Sequence, residues 1–383
     1  PNPDQPRWIG VAEKYDMRKD VDNKAFAVLE GKTIRRELAH GDSVYVLAHD
    51  ADKKPYIYIL NAKTQEVYSE LSTNGVGDIT DEREEMSISD IAFTSDSILV
   101  ACNLEKTSFD ADGVHGNWRI YKWEKDLTTR TPTGDPEIWF APTTSAISGN
   151  FSNAYIGQSL AISGRLEDCK VITTAETTGS STEVRLPIFT ITRKGLIEES
   201  RNQDKEVLKK NLIGDDYRIV VSPRSDNAIV VDGSLVTPFE LALNAANEQA
   251  PTKVGAMSAD VVALKENAFS FFKYGLHSLM AVAKLDADSK SVGVALYDVE
   301  AGLDKATLIE TSNTKLDAAA CNWLMVSSHV ENDDITLFLH KDNKVSSFTT
   351  VDVEQVYYGN VYAYNLKAEA ADGNYTFTYT VNE

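Results

Sequence analysis

Residues 42–72 read DSVYVLAHDADKKPYIYILNAKTQEVYSELS, three short apolar runs cut by two polar breaks. β-Branched and aromatic residues fill SVYVLAH (43–49) and PYIYILN (55–61), and Asp, Lys, Pro and Asn fill the breaks. That is the composition of strands joined by turns. The central runs are apolar almost throughout, as expected of strands covered on both faces.

The pattern recurs. SISDIAFTSDSILVACNLEKTS (87–108) is followed by NWRIYKWEKD and EIWFAPT, and GQSLAISGRLEDCKVITTAETT (157–178) by EVRLPIFTITRKG. Further repeats open at DYRIVVSPRSDNAIVVDGSL (216–235), VVALKENAFSFFKYGLHSLMAVAKLD (261–286) and NWLMVSSHVENDDITLFLHKD (322–342). The apolar second strands begin near Ser43, Ile98, Lys170, Ala228, Ser278 and Ile335, at intervals of 55, 72, 58, 50 and 57 residues. A period of about 40 to 60 residues holding about four strands is that of a β-propeller blade. One blade cannot bury both of its faces, so neighbours must stack and the ring must close. The expected fold is therefore all-β, a six-bladed propeller over residues 1–359, or seven-bladed if the C-terminal segment adds a blade. One short helix is expected between repeats, at DKEVLKKNLI (204–213).

The last repeat runs out at VSSFTTVDVE, while KAFAVLEG near the N-terminus is a strand without preceding partners. Residues 24–31 are expected to supply the outer strand of the last blade, which removes an exposed sheet edge. The tail 360–383 alternates with period two around Asp372-Gly373, a hairpin signal, because both central positions of a type I′ turn need positive φ.

The chain has 383 residues, of which 42% are hydrophobic and 25% charged, enough for a packed core. A net charge of −20 opposes phosphate backbones and anionic lipid, so nucleic acid and membrane surfaces are not expected partners. No apolar run approaches the ~18 residues of a spanning helix. Cys102, Cys169 and Cys321 sit in strand-like company with no CxxC pair, so buried free thiols are expected. The chain opens PNPDQPRW without a methionine, and a removed signal peptide with a secreted, periplasmic or cell-surface destination is expected.

TIRRELAHGDSVYVLAHDADKKPYIYILNAKTQEV (33–67), SISDIAFTSDSILVACNLEKTS and NWRIYKWEKD together resemble a family of exported bacterial propellers of unknown function, typical of surface and periplasmic proteins of gut anaerobes. The likeness is clearest over residues 33–125. It departs where Arg36-Glu37 stands for Arg-Gly and where His49 lies near a usual Arg. The resemblance implies the propeller fold and export, and no substrate.

Chemical motifs are sparse. DADKK (50–54), DADGVHG (110–116) and DADSK (286–290) each carry Asp-x-Asp, but the twelfth residue from Asp110 is Tyr121 where a calcium loop needs a bidentate Glu. Turn roles account for all three, with a weak calcium site at Asp110 and Asp112 as the single cofactor expectation. The run DITDEREE (78–85) reads as a solvated loop. The six histidines show no HxH or HxxxH spacing, and no nucleophile elbow, phosphate loop or HExxH is present. Aromatic residues carry the binding expectation. Trp118 and Trp123 lie on the strand NWRIYKW, where interface packing and ligand stacking are the competing roles. The long loop KTSFDADGVHG (106–116) adds Phe109 and His115. Phe109, His115, Trp118 and Trp123 are thus the expected ligand residues. The expected function is a non-catalytic exported binding or scaffold protein for a glycan, peptide or surface-protein partner. Its rival is a polysaccharide-acting hydrolase or lyase with carboxylates in the propeller funnel, which a sequence cannot show because their ~5 to 9 Å separation spans blades.

Overall fold

The computed structural model describes residues 16–25, 27–61, 64, 66–76, 84–106, 108–110, 113–115, 118–141, 154–177, 183–185, 187–192, 197–200, 208–209, 219–225, 228–233, 239–242, 252–256, 269–274, 277–285, 291–312, 316–317, 324–331, 334–341, 344–351, 363–371 and 374–381. Among them the regular elements are β-strands and two short 3-10 turns, Ala27–Leu29 and Leu303–Lys305.

The strands fall into antiparallel groups, numbered here I to VI. Sheet I holds Thr33–His40, Ser43–His49, Pro55–Asn61 and Val67–Leu71. Sheet II holds Glu84–Phe93, Leu99–Lys106, Ile120–Lys125 and Pro132–Phe140. Sheet III holds Ala154–Arg165, Asp168–Thr177, Ile188–Ile191 and Ile197–Ser200. Sheet IV holds Ile219–Ser225, Ala228–Gly233, Phe239–Ala242 and Thr252–Ala256. Sheet V holds Phe269–Tyr274, His277–Leu285, Ser291–Asp298 and Thr307–Thr311. Sheet VI holds Leu324–Glu331, Asp334–Lys341 and Lys344–Val351. Its fourth strand is Asp16–Ala25, which runs antiparallel to Lys344–Val351. Sheets II and III are also joined, because Tyr155 and Ile156 pair with Lys106 and Glu105.

The second strand of each sheet explains the order. In sheet I, Val44, Val46 and Ala48 pack with Met325 and Phe338 of sheet VI. Tyr45 and Leu47, on the opposite face, pack with Ile88, Ile91, Tyr121 and Trp123 of sheet II. Sheet V repeats this: Leu279, Ala281 and Ala283 meet Val326, Ile335 and Leu337 of sheet VI, while Met280 and Val282 enter a separate cluster with Phe269 and Tyr297. Successive side chains on a strand point to opposite faces, so a strand buried on both must be apolar continuously. Each large side chain so enclosed contributes about 1.5–3 kcal/mol. The first strands lie side by side in sequence, I by II, II by III, III by IV, IV by V and V by VI, and the first strand of VI lies by that of I. This is a propeller-like arrangement of all-antiparallel sheets.

Two expected boundaries are corrected. The stretch 24–31 gives only Lys24 and Ala25 to the strand beside Lys344–Val351, and the strand itself is the charged segment Asp16–Ala25. Beyond it the chain turns: Glu30 N–H bonds the Ala27 carbonyl, Lys32 N–H the Leu29 carbonyl, and Gly31 has φ +72°. Leu29 is buried between sheets I and VI, so the apolar residues read there as strand are an anchor. The helix expected over 204–213 is, at Leu208–Lys209, a strand paired with Glu183 and Val184. A tertiary pairing partner overrides local helix propensity. At the C-terminus Ala363–Ala371 and Asn374–Val381 form an antiparallel pair.

Candidate functional site

The first strands of sheets I, II and III are each broken by a β-bulge. In sheet I, Ile34 faces Ala48 and Arg36 faces Leu47, so Arg35 is the extra residue. In sheet II, Met86 faces Leu104 and Asp90 faces Cys102, which sets residues 87–89 against one partner. In sheet III, Ile156 faces Ala175 and Leu160 faces Thr173, which sets residues 157–159 against one. Bulges re-aim side chains, and these three sit in neighbouring strands.

They are fitted to one another. Ser89 donates to the Gly157 carbonyl at 2.5 Å, and Asp90 Oδ2 accepts the Leu160 amide at 2.7 Å. Asp90 Oδ1 accepts its neighbour Ile91's amide at 2.9 Å and lies 3.6 Å from Arg36 Nε. Asp90 therefore ties sheet I to sheet III through sheet II. Arg35 reaches further, donating from Nη2 to Gln158 Oε1 at 3.3 Å.

On the other side of the same strand, Glu37 faces sheet VI. Its Oε1 accepts from Ser327 Oγ at 3.0 Å, and its Oε2 lies 2.8 Å from His340 Nδ1, with both side chains fully enclosed. The Glu37 amide points at Met325 Sδ at 3.1 Å. Arg36 and Glu37 thus send opposite charges to opposite neighbours, as the two-residue period of a strand requires. A cavity of about 160 Å³ lies between the first strands of sheets I, V and VI, lined by Arg36, Glu37, Ser270, Phe271, Phe272 and Ser327 among others. Ser270 and Ser328 share a hydrogen bond of 2.9 Å across it. Its volume is below the roughly 300 Å³ at which drug-sized ligand pockets begin, so it takes one small ring or a substituent. A second, open and polar cleft of about 440 Å³ lies between the turns of sheets II and III, around Asp96, Arg165, Asp168 and Lys170.

Arginine forks suit carboxylate and sulfate oxygens, and buried charge is retained only where paired. The cluster therefore combines anion donors (Arg35, Arg36), two carboxylates fixed by their neighbours (Glu37, Asp90) and an imidazole behind Glu37. Behind Asp90, the Cys102 thiol is pushed up to about 12, first by burial and then by the Asp90 charge, so it stays protonated.

The residues expected to bind ligand are placed apart from this cluster. Trp118 is fully buried against Phe140 and Phe189, and Trp123 lies in the core with its Nε1 bonded to the Ser72 carbonyl at 2.8 Å. Ser108–Asp110 and Gly113–His115 form a small hairpin in which Phe109 faces Val114, Asp110 faces Gly113 and His115 faces Ser108. The side chains of Phe109, Asp110 and His115, and the whole of Asp112, lie outside the described residues. Among the described residues no three His, Cys, Asp or Glu side chains gather as metal ligands. The cluster residues are not among those the sequence singles out as chemistry. Their signal was Arg35-Arg36-Glu37, three charges in the middle of an otherwise apolar strand, and the departure from Arg-Gly at Arg36-Glu37 marked the same spot.

No family model matches the chain, and no curated protein matches it. Solved structures do. A sialidase of Trypanosoma rangeli, in complex with 2,3-difluorosialic acid, aligns with TM-score 0.50 and 7% identity over 90% of this chain and 59% of that one. An ulvan lyase of polysaccharide lyase family 25 aligns with TM-score 0.45 and 7% identity over 86% of this chain and 95% of that one. A thermostable family-43 glycoside hydrolase aligns with TM-score 0.36 and 8% identity over 92% and 94%. At such identity the sialidase likeness speaks for a propeller-like fold alone. The expectation of a non-catalytic binding or scaffold protein is corrected, since the sialidase that shares the fold is a glycan-acting enzyme. No helix among the described residues is long and apolar enough to cross a membrane.

Proposed function

We propose that the chain is an exported enzyme acting on polysaccharide, a hydrolase or a lyase, working at the cavity between the first strands of sheets I, V and VI. The reading takes the six sheets as blades of a closed ring, with Asp16–Ala25 completing the last. The run of first-strand neighbours from I to VI and back to I supports it.

One observation carries the assignment: Arg36 and Glu37 line a single cavity, and each is buried against an ionisable partner from another sheet, Asp90 of sheet II and His340 of sheet VI. Burying an ion costs several kcal/mol that its partner only partly offsets. Core packing in this fold is met by continuous apolar strands, so packing does not call for the cluster. Arg36 would hold the substrate at the cavity wall. Glu37, positioned by Ser327 and His340, would move the proton that either glycosidic hydrolysis or elimination requires. Asp90 would hold Arg36 in place. The names of the neighbouring structures, acting on ulvan and sialic acid, supply fold-level support only. The calcium role of Asp110 and Asp112 and the ligand role of Phe109 and His115 are proposals for the Ser108–His115 hairpin.

The test is a panel of neutral and acidic polysaccharides incubated with purified protein. New reducing ends would report hydrolysis, and ultraviolet absorbance of unsaturated uronates would report elimination. The reading expects product from at least one polymer and its loss in Glu37→Gln with the fold intact. No product across the panel, or an undiminished Glu37→Gln, would remove it.

A further inference from the structure

We infer that Ser270 and Ser328 read the vicinal diol of one uncharged sugar ring: one serine hydroxyl donates to the diol, and the pair accepts from it. This names a substrate class for the cavity proposed above as the site of reaction and rests on that reading.

The pair is within reach of solvent. Ser270, Phe271 and Phe272 of sheet V, Leu38 of sheet I and Ser328 of sheet VI all line the cavity, and all are half-buried. Glu37 and Ser327, in the same lining, are buried. Neighbouring residues on a strand turn to opposite sides, so Ser327 goes to Glu37 of sheet I and Ser328 to Ser270 of sheet V. A hydroxyl has one donor and two acceptor sites. Ser327 spends its donor on Glu37. Ser270 and Ser328 spend one donor and one acceptor site on each other, at 2.9 Å, and neither side chain has another partner among the described residues. Of the pair's two donors and four acceptor sites, one donor and three acceptor sites are left for a ligand. A vicinal diol offers donors and acceptors on two oxygens at much the same spacing as the serine pair. The pair is also held in place: Ser270 faces Ala281 and Ser328 faces Leu337 in ladders without a bulge.

Size and charge narrow the ligand further. A cavity of about 160 Å³ admits one ring, and Leu38, Phe271 and Phe272 supply the apolar surface on which the C–H face of a sugar can lie. The two charged residues in the lining, Arg36 and Glu37, have opposite signs, and each already has a partner, Asp90 and His340. The lining therefore carries no net positive charge to draw an acid, and a chain charge of −20 opposes one at long range. A carboxylate or sulfate also brings acceptors alone, where the serine pair has mostly acceptor sites to offer. The ring that fits is uncharged and rich in hydroxyls.

The experiment is ligand-observed NMR titration of the full chain with the methyl glycosides of glucose, galactose and mannose, their monodeoxy analogues, and methyl glucuronide as the charged counterpart, with no polymer present. At least one neutral glycoside should bind, and more tightly than the glucuronide. Loss of a hydroxyl from the docked diol should weaken binding about 2- to 10-fold, the range of one neutral hydrogen bond. Ser270→Ala and Ser328→Ala should each weaken the parent glycoside by a similar factor and leave the matching deoxy analogue unchanged, a coupling that a merely structural role does not produce. The double variant Ser270→Ala/Ser328→Ala removes both partners and orphans neither, so it should keep the fold and bind parent and deoxy sugars alike. Near-ultraviolet circular dichroism confirms that each variant is folded. Binding of none of the three glycosides, glucuronide bound as tightly as the best of them, or single variants that weaken parent and deoxy analogue equally would each overturn the diol subsite. Diol-dependent binding without turnover of any polymer would leave the subsite standing and remove the enzyme reading. Turnover lost in Glu37→Gln, with sugar binding indifferent to the diol and to both serines, would do the reverse.

Discussion

The Cα of Gly157 is packed so closely under Asn103 that a Cβ built there would stand 2.0 Å from the Asn103 carbonyl oxygen and 2.6 Å from Trp118 Nε1. Its φ of +102° is a second reason for glycine. The contact places the bulge of sheet III against sheet II and so sets where Gln158 stands. Gly157→Ala should cost about 3 kcal/mol or more, from overpacking added to backbone strain. Gly134, with φ +73° and open space around it, is the control, and Gly134→Ala should cost only the ~1–2 kcal/mol of the left-handed backbone. Urea unfolding of both variants decides the matter. Equal losses would mean that the sheets are not in contact there.

Cys102 and Cys169 flank the same junction. Burial, reinforced by Asp90 for the first and by Asp168 and then Asp96 for the second, pushes both thiols up to about 12. Only the thiolate attacks electrophiles, so both should stay unmodified by a maleimide at neutral pH and react fully in denaturant. Peptide mass spectrometry after labelling reads this directly. Modification of either in the native protein would show that sheets II and III part in solution.

The strand rhythm was legible because it is written in the least ambiguous residues. Second strands expected near Ser43, Ile98, Lys170, Ala228, Ser278 and Ile335 begin in the structure at Ser43, Leu99, Asp168, Ala228, His277 and Asp334. Burial on both faces leaves such strands no choice but continuous apolar sequence. Edges and first strands are not so constrained. Asp16–Ala25, DMRKDVDNKA, is an edge strand with one partner, and such a strand needs no continuous apolar sequence. The candidate site was hidden for a related reason. Arg35, Arg36, Glu37 and Asp90 gain meaning from bulges and from partners 54 to 303 residues away, and neither leaves a local pattern. Trp118 and Trp123 are large enough to suggest a binding platform, yet they fill the junctions between sheets.

His40 should make the fold acid-sensitive. It stacks on Phe93 with ring centroids 3.8 Å apart, and burial first and Lys125 second push its pKa from 6.5 down to about 4. The folded state therefore binds the proton less readily than the unfolded chain. Its contribution is complete above the unfolded pKa, declines as pH falls through that value, and is lost once pH passes below about 4. His40→Phe keeps an aromatic partner for Phe93 and removes the titration. The fall in melting temperature between about pH 7 and about pH 4.5 should be smaller in this variant than in the wild type. Identical falls would assign the acid sensitivity to other groups.

The pairing of Asp16–Ala25 with Lys344–Val351 joins two segments more than 300 residues apart, and its loss should be felt by the whole molecule. Without it, Lys344–Val351 presents a row of unpaired N–H and C=O groups, a template for another chain. Leu29, immediately after the strand, also anchors sheet I to sheet VI, so a truncation must spare it to test the pairing alone. Removal of residues 1–25 should lower the melting temperature and shift the protein toward dimers or larger species on size-exclusion chromatography. A synthetic peptide of residues 16–25, added in excess, should restore both properties by occupying the vacated edge, with a gain that follows peptide concentration. A truncated chain that stays monomeric and melts with the wild type would mean that sheet VI is complete with three strands and that the N-terminal strand closes nothing.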